Sequence, residues 1–314
     1  MMGLEHIHQA RERIAKIIKR TPLMCSNTID EKIGNQLFLK CEHLQKTGSF
    51  KLRGASNKVI FEAEHNARYV VAASSGNHGQ AVAYIANQLG LKSTIVVPEN
   101  AATCKQEAIK AYHGGVEFCG FTSGERIERA KQICEDEQAV FIPPYDDPLV
   151  IAGQGTAGLE ILEQLDQIDE VYVPIGGGGL ISGIATAIKE SNPRIRVIGV
   201  EPTLANDTYL SYHNGKRINI GVTTTIADGL RTSIPGELTF PIVQKYVDEI
   251  VLVEEEAIKR AFTLVFTRMK QVIEPSGAIS IAAAMESGAR GKRIVALVSG
   301  GNVDTAVIPS LLIE

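Results

Sequence analysis

The sequence predicts an open, doubly wound α/β protein built on parallel sheet. Short apolar, β-rich runs alternate from about residue 68 with amphipathic stretches of helical length, the signature of βαβ units whose strands are buried on both faces. Three glycine-rich turns, Ser74–Gly79 (SSGNHG), Gly176–Gly179 (GGGG) and Ser299–Asn302 (SGGN), each directly follow one of those runs. Ligands of such sheets bind outside the carboxyl ends of the strands, where these turns would lie. The 314-residue chain is 44% hydrophobic and 22% charged, which suits a soluble globular class of about two domains.

Taken in order, the N-terminal stretch repeats Ile7, Ala10, Ile14 and Ile17/Ile18 at helical spacing, an amphipathic helix. The expected strands are Tyr69–Ala73, Thr94–Val97, Val116–Cys119 and Val140–Ile142, with helices near 77–89, 102–112 and 124–135 between them. The alternation resumes with Val171–Ile175, a helix over 179–190, and Ile195–Val200. Then come Ile250–Val253, a long helix from Glu254 to Lys270, another over 276–287, and Ile294–Val298. The segment from 203 to 248 has weak periodicity and many turn residues, and reads as a loop-rich excursion.

The charge balance, 32 Lys+Arg against 36 Asp+Glu for a net of −4, lacks the basic excess that nucleic acid or an anionic membrane demands. Aromatic residues make up 5% with no Trp, which argues against a base-stacking platform. No apolar run reaches the roughly 18 residues of a membrane span, and the polar N-terminus lacks a secretory apolar core. The expected location is the cytoplasm. Five cysteines (Cys25, Cys41, Cys104, Cys119, Cys134) without a Cys-x-x-Cys suggest buried reduced thiols, with neither a disulfide framework nor a thiolate zinc site.

Pro174–Leu180 (PIGGGGL) ends a strand and opens a helix. Consecutive glycines leave peptide N–H groups free to converge on one object, and the helix N-terminus behind them favours an anion, most naturally a phosphate. The spacing fails G-x-G-x-x-G, and Gly291–Lys292 is followed by Arg293 without the rest of a P-loop, so the usual NAD and ATP modes do not apply. In Lys46–Ala55 (KTGSFKLRGA), Lys51 stands beside an aromatic among small residues. That setting suits a Schiff base with an aldehyde cofactor; on spacing alone it also suits a solvated surface lysine.

SFKLRGA, SSGNHGQ, the tetraglycine loop and SGGNVD occur in this order over about residues 20–305. Together they resemble the fold type II pyridoxal-phosphate enzymes, the tryptophan synthase β-like fold, and within them the serine/threonine dehydratase and serine racemase group. The resemblance implies a small domain of 65–145 inserted into a large one of 1–64 plus 146–314, and a homodimer. It implies that Lys51 holds pyridoxal 5′-phosphate covalently and serves as base at the substrate α-carbon. It further implies that Phe50 packs on the pyridine ring, Asn77 bonds the ring hydroxyl, and Gly176, Gly177, Gly178, Gly179 and Leu180 bind the phosphate. Ser299 would sit at the ring nitrogen with Glu274 nearby, and Gly229 would line the pocket. Ser74, Ser75, Asn77 and His78 stand where a helix N-terminus suits a substrate carboxylate. A loop histidine of purely structural role is the other reading of His78.

Racemisation needs a proton donor opposite the base. In the racemases that donor is a serine within SSGNH, and Ser75 occupies this position. Arg126 falls where the racemase-like branch carries an arginine near the substrate carboxylate; a solvated helix residue is the alternative. Glu201, Ala205 and Asp207 in VEPTLAND match the divalent metal site of that branch, suited to Mg²⁺, Mn²⁺ or Ca²⁺; an acidic surface loop is the alternative. Ile142–Pro148 (IPPYDDP), however, looks like the dehydratase form of the substrate-side loop, and with no regulatory domain after residue 314 the chain resembles the catabolic dehydratases. The expectation is an ammonia-lyase for L-serine or L-threonine, with a serine racemase using Lys51 and Ser75, or a 3-hydroxyaspartate ammonia-lyase, as the other readings. A small β-hydroxy amino acid is the expected partner, with no nucleic acid and no membrane. A non-catalytic protein that kept the fold is disfavoured by the retained Lys51, Asn77 and Ser299.

Overall fold

The computed structural model describes residues 2–74, 76–101 and 103–313, apart from the side chain of Cys104. Helix α1 (Leu4–Ile14) buries Ile7, Ala10 and Ile14, the stripe its spacing implied. Strand β1 (Leu23–Met24), helix α2 (Asn27–Ile33) and strand β2 (Gln36–Cys41) lead to α3 (Lys51–Glu64). The β3–α4–β4–α5–β5–α6–β6 run follows: Tyr69–Ala73, Asn77–Gln88, Lys92–Val97, Thr103–Ala111, Gly115–Phe118, Ser123–Glu137 and Val140–Phe141. Next come α7 (Pro148–Gln164), β7 (Glu170–Pro174), α8 (Gly179–Ser191), β8 (Arg196–Pro202), α9 (Asp207–Asn214), α10 (Thr239–Tyr246) and β9 (Glu249–Val253). The chain ends through α11 (Glu255–Leu264), α12 (Pro275–Glu286), β10 (Arg293–Val298) and α13 (Ile308–Leu311).

The strands form two sheets, ordered β1-β2-β10-β7-β8-β9 and β5-β4-β3-β6. Every pairing is parallel except β1–β2, which is antiparallel. Both faces of the larger sheet are covered. Along β10, Ile294, Ala296 and Val298 enter the core beneath α11 and α12, while Val295 and Leu297 enter the core beneath α8. The smaller sheet behaves alike: Val70 and Ala72 pack toward α3 and α4, and Tyr69 and Val71 toward α6. Double-sided burial explains why these strands read as continuous apolar runs instead of alternating ones.

Three features depart from the expectation. Residues 203–248 contain α9 and α10. Both are only eight residues long, and Pro241, a breaker in the linear pattern, sits in the first turn of α10, where its missing N–H breaks no helical bond. Helix α7 escaped notice because Gly153, Gly155 and Gly158 interrupt it. They are there for packing: a Cβ on Gly155 would stand 2.9 Å from the Gly183 carbonyl of α8, and one on Gly153 would stand 2.7 Å from the Arg53 carbonyl of α3. Asp147 caps α7, accepting from Leu149 N at 2.8 Å and Val150 N at 3.0 Å. Finally, the four cysteines whose side chains are described are free but not uniformly buried: Cys41 is buried, whereas Cys119 and Cys134 are half-buried and Cys25 is exposed. Among the described residues no helix is long and apolar enough to cross a membrane.

Candidate active site

The carboxyl ends of β3, β7 and β10 open into the turns that begin at Ser74, Ile175 and Ser299. Together with the start of α3 they enclose a cleft of about 270 Å³. Its walls bring together Phe50, Lys51, Asn77, Gly176–Leu180, Glu274 and Ser299, which lie up to 249 positions apart in the chain (299 − 50). Ser74, His78, Arg126 and Gly229 line the same cleft. Ser75 lies outside the described residues.

Lys51 is the first residue of α3, so its stem leaves the helix at the cleft floor. Its Nζ donates to the Pro144 carbonyl at 2.7 Å and stands 5.2 Å from the Phe50 ring centroid. Burial pushes its ammonium down to about 8 despite attraction by Glu274. A lysine so placed is largely desolvated and releases a nucleophilic amine at a lower pH than a solvated lysine does. The backbone around it is pinned to the third turn: Phe50 N donates to the Ser299 carbonyl at 3.0 Å, and Ser49 bridges Gly300.

The tetraglycine turn caps β7 and starts α8. Gly178 has φ +88°, a left-handed conformation that a side chain resists, and a Cβ on Gly177 would lie 2.4 Å from the Tyr145 ring. Tyr145 therefore packs flat against bare backbone. Asp146 fixes this turn by accepting from the N–H groups of Glu237, Leu238 and Thr239 at 2.9, 2.8 and 3.2 Å, and the Thr239 hydroxyl donates to the Gly177 carbonyl at 2.8 Å. The result is a rigid cradle of peptide N–H groups at a helix N-terminus.

Ser299 is buried and donates its hydroxyl to the Ser276 carbonyl at 3.0 Å. Glu274 caps the cleft, and burial, with repulsion from Asp228, raises its carboxyl to about 7. Asn77 donates Nδ2 to Glu274 Oε1 at 2.8 Å. His78 is buried with Nε2 2.8 Å from the Ile142 carbonyl. Burial and the nearby Lys51 charge push its imidazole down to about 3. The ring is thus neutral at physiological pH and donates Nε2–H to that carbonyl. It does not titrate there. Gly229 N donates to the Ser276 hydroxyl at 3.0 Å. Arg126 is half-buried, with Nη1 and Nη2 on the Phe121 carbonyl and Ser123 hydroxyl at 3.3 and 3.1 Å; its Nε has no hydrogen-bond partner among the described residues.

Glu201 and Asp207 are both fully buried, with Ala205 between them. Glu201 accepts from the N–H groups of Thr208 and Tyr209 at 3.1 and 2.7 Å, and Asp207 accepts from the Thr232 hydroxyl at 3.2 Å. Burial and mutual repulsion raise Glu201 well above the carboxylate range, and burial lifts Asp207 to about 6. Thr232 also lines the cleft, so this acidic pair backs onto its wall although it is distant from Lys51 in sequence. Among the described residues no group of three His, Cys, Asp or Glu side chains converges.

Some cleft residues had no role of their own in the sequence reading. Pro144 and Tyr145 line the cleft from within the IPPYDDP run read as the substrate-side loop, and Ser276, a common turn and helix residue, had no signal. Asn302 stood inside the SGGN turn, and its neighbours alone pointed to it.

The family model described as pyridoxal-phosphate dependent enzyme matches residues 14–300. An L-threonine ammonia-lyase from Geobacter sulfurreducens is 44% identical over 318 residues, covering 100% of this chain and 79% of that protein. A serine racemase from Dictyostelium discoideum is 43% identical over 316 residues, covering 98% and 97%. Among solved structures, maize serine racemase matches with a TM-score of 0.94 at 42% identity, covering 98% of this chain and 96% of that one.

Proposed function

Since the chain belongs to the pyridoxal-phosphate dependent enzyme family, we propose that it is an ammonia-lyase that converts L-serine or L-threonine to a 2-oxoacid and ammonia. The observation that carries this reading is the Lys51 amine, desolvated and facing a cradle of peptide N–H groups in one cleft. Pyridoxal phosphate, when bound, supplies an electron sink that acidifies the substrate α-hydrogen.

The side chains divide the remaining work. Lys51 would hold the cofactor through its amine, and that same amine, when free, would take the proton from the substrate α-carbon. The Gly176–Gly179 amides, with Leu180, grip the phosphate at the start of α8. Phe50 stacks beside Lys51 against the ring. The Ser299 hydroxyl, whose single hydrogen lies on the Ser276 carbonyl in this structure, would turn to the ring nitrogen as a neutral partner that does not protonate it, which favours loss of a β-hydroxyl over transamination. Asn77 would donate its remaining Nδ2 hydrogen to the ring oxygen, while Ser74 and the backbone at His78, at the start of α4, with Arg126 and Gly229, would hold the substrate carboxylate side. The substrate's β-hydroxyl leaves as water, water re-enters at the α-carbon, and ammonia departs. A 65–145 small domain carrying the four-stranded sheet closes over the cleft, and the enzyme is a cytoplasmic homodimer.

In the test, cofactor-loaded protein is incubated with L- and D-serine, L-threonine and 3-hydroxyaspartate, and oxoacid, ammonia and enantiomers are quantified. Oxoacid in step with ammonia from L-serine or L-threonine is expected. No oxoacid from any of them would overturn the reading.

The 43% identical serine racemase and the serine at position 75 favour a second reading, a two-base racemase with Lys51 and Ser75 on opposite faces of the α-carbon. Ser75→Ala is then expected to abolish D-serine formation while L-serine elimination persists. Equal loss of both would rule out Ser75 as the second base.

Glu201, Asp207 and the Ala205 backbone are the proposed seat of a divalent cation, Mg²⁺, Mn²⁺ or Ca²⁺. Two buried carboxylates, both raised in proton affinity by burial and Glu201 further by the charge of Asp207, suit a hard cation. Chelation is expected to lower the thermal midpoint, by the equivalent of about 2.7 kcal/mol if the ion is present at 100-fold its Kd. Asp207→Asn should make the midpoint indifferent to chelator; an unaltered chelator response in that variant would refute the site.

A further inference from the structure

Three loops meet at one side chain that the roles above leave unused. Asn302, in the turn after β10, donates both Nδ2 hydrogens: to the Thr47 carbonyl at 2.8 Å and to Asn77 Oδ1 at 2.7 Å. Asn77 in turn donates Nδ2 to Glu274 Oε1 at 2.8 Å. Backbone bonds lock the same junction. Gly301 N donates to the Gly48 carbonyl at 2.9 Å, and Glu274 N to the Gly300 carbonyl at 3.1 Å. The fit is close: Gly48 has φ +74°, and a Cβ there would stand 2.4 Å from Asn302 Oδ1.

The order of these bonds is dictated by one atom. A peptide carbonyl only accepts, so Thr47 O requires the nitrogen end of the Asn302 amide. That nitrogen then requires an acceptor from Asn77, which turns Asn77 Oδ1 toward Asn302 and Asn77 Nδ2 toward Glu274 and the cleft. Asn77 Nδ2 carries two hydrogens, and Glu274 takes one. The other is left for an acceptor in the cleft, which Asn77 lines. Without Asn302, the amide of Asn77 loses the donor against its oxygen and keeps only Glu274 Oε1 to hold its orientation.

We propose that Asn302 is a positioning residue that sets the orientation of the Asn77 amide, so that an N–H and not a C=O faces the ring oxygen of the bound cofactor. This rests on the proposed cofactor chemistry, and it makes the lysine loop, through Thr47, the reference that orients the asparagine of another loop.

The test is a double-mutant cycle on full-length protein. Asn302→Asp removes the donors at constant size, and Asn302→Ala removes them without placing a charge near Glu274. Each is made in the native and in the Asn77→Ala background. The readouts are the Kd of pyridoxal phosphate by fluorescence titration, the position of the bound cofactor's visible band and the pH dependence of that band. A hydrogen bond to a charged acceptor is worth about 1.5–3 kcal/mol, so both Asn302 variants are expected to weaken cofactor binding roughly 10- to 100-fold. They should also shift the band or its pH midpoint. In the Asn77→Ala background neither variant should have a further effect. Equal effects in the two backgrounds, or an unchanged band and Kd in the native background, would overturn the proposal. Should the unsubstituted protein itself bind no pyridoxal phosphate, the functional reading fails instead, so the two failures are distinguishable.

Discussion

Replacing Lys51 with Ala is expected to reduce turnover of L-serine or L-threonine by at least about 10³-fold, since covalent attachment and proton transfer at the α-carbon use the same amine. The substitution should leave the fold intact. Among the described residues Nζ bonds only the Pro144 carbonyl, and a deleted lysine leaves a carbonyl at the edge of a cleft that water reaches. Borohydride treatment of the holoenzyme followed by mass spectrometry should label position 51 in the native protein and not in Lys51→Ala. A label elsewhere, or turnover within tenfold of native, would refute the assignment. The same lysine sets a pH dependence. Because burial brings its ammonium down to about 8, the amine is protonated and inert below that pH and nucleophilic above it. The rate of reconstitution of cofactor-free protein should therefore climb with pH through a midpoint near 8. A midpoint close to 10.5, the ordinary lysine value, would show that the group is solvated.

Arg53→Met is expected to be the most destabilising single change, by about 3–5 kcal/mol. Two residues beyond Lys51, Arg53 points to the opposite side of α3 and is completely buried. Its Nε and Nη2 contact Glu42 at 2.8 Å each, and Nη1 and Nη2 contact Glu160 at 2.7 and 2.9 Å. Lys40, also fully buried, adds a contact to Glu160 at 2.6 Å and another to the Thr21 carbonyl at 2.7 Å. Two cations and two anions thus balance inside the core where β2, α3 and α7 meet. Removing Arg53 leaves one lysine against two desolvated carboxylates, and an uncompensated buried charge is what makes such losses large. Urea unfolding monitored by circular dichroism measures the change, and a loss below about 1 kcal/mol would mean that water reaches the cluster. Burial pushes Glu42 up, but the Arg53 guanidinium overrides it and holds the carboxyl below its ordinary value. The stabilisation of Glu42 is therefore present at neutral pH and lost as pH falls through and below the usual carboxylate range. The cluster also anchors the helix that begins with Lys51, so Arg53→Met should weaken cofactor binding as well.

The linear pattern made most of the scaffold legible. Strands β3, β4, β7, β8 and β10 are apolar on both faces, and such runs stand out from amphipathic helices without any knowledge of partners. The glycine-rich turns were legible because four adjacent glycines are too costly to keep for packing alone. What remained hidden was set by close approach. Helix α7 carries three glycines that read as breakers and serve as contact points for α3 and α8. Helices α9 and α10 are too short to show a period. The antiparallel β1 is two residues long, and its direction follows from the return of the chain at Pro22–Gln36, not from its residues.

By itself the sequence determined the alternating architecture, the glycine-rich turn at Gly176–Gly179 and, through its ordered motifs, the family from which the role proposed for Lys51 follows. Those features depend on local chemistry: periodic burial, bare peptide N–H groups, and a lysine beside an aromatic. Only the tertiary structure decided the lowered proton affinity of Lys51, the neutral state of His78, the charge cluster around Arg53 and the orientation of Asn77 by Asn302. Each of these is a sum of desolvation and contacts between residues far apart in the chain, and such sums have no signature until the chain is folded.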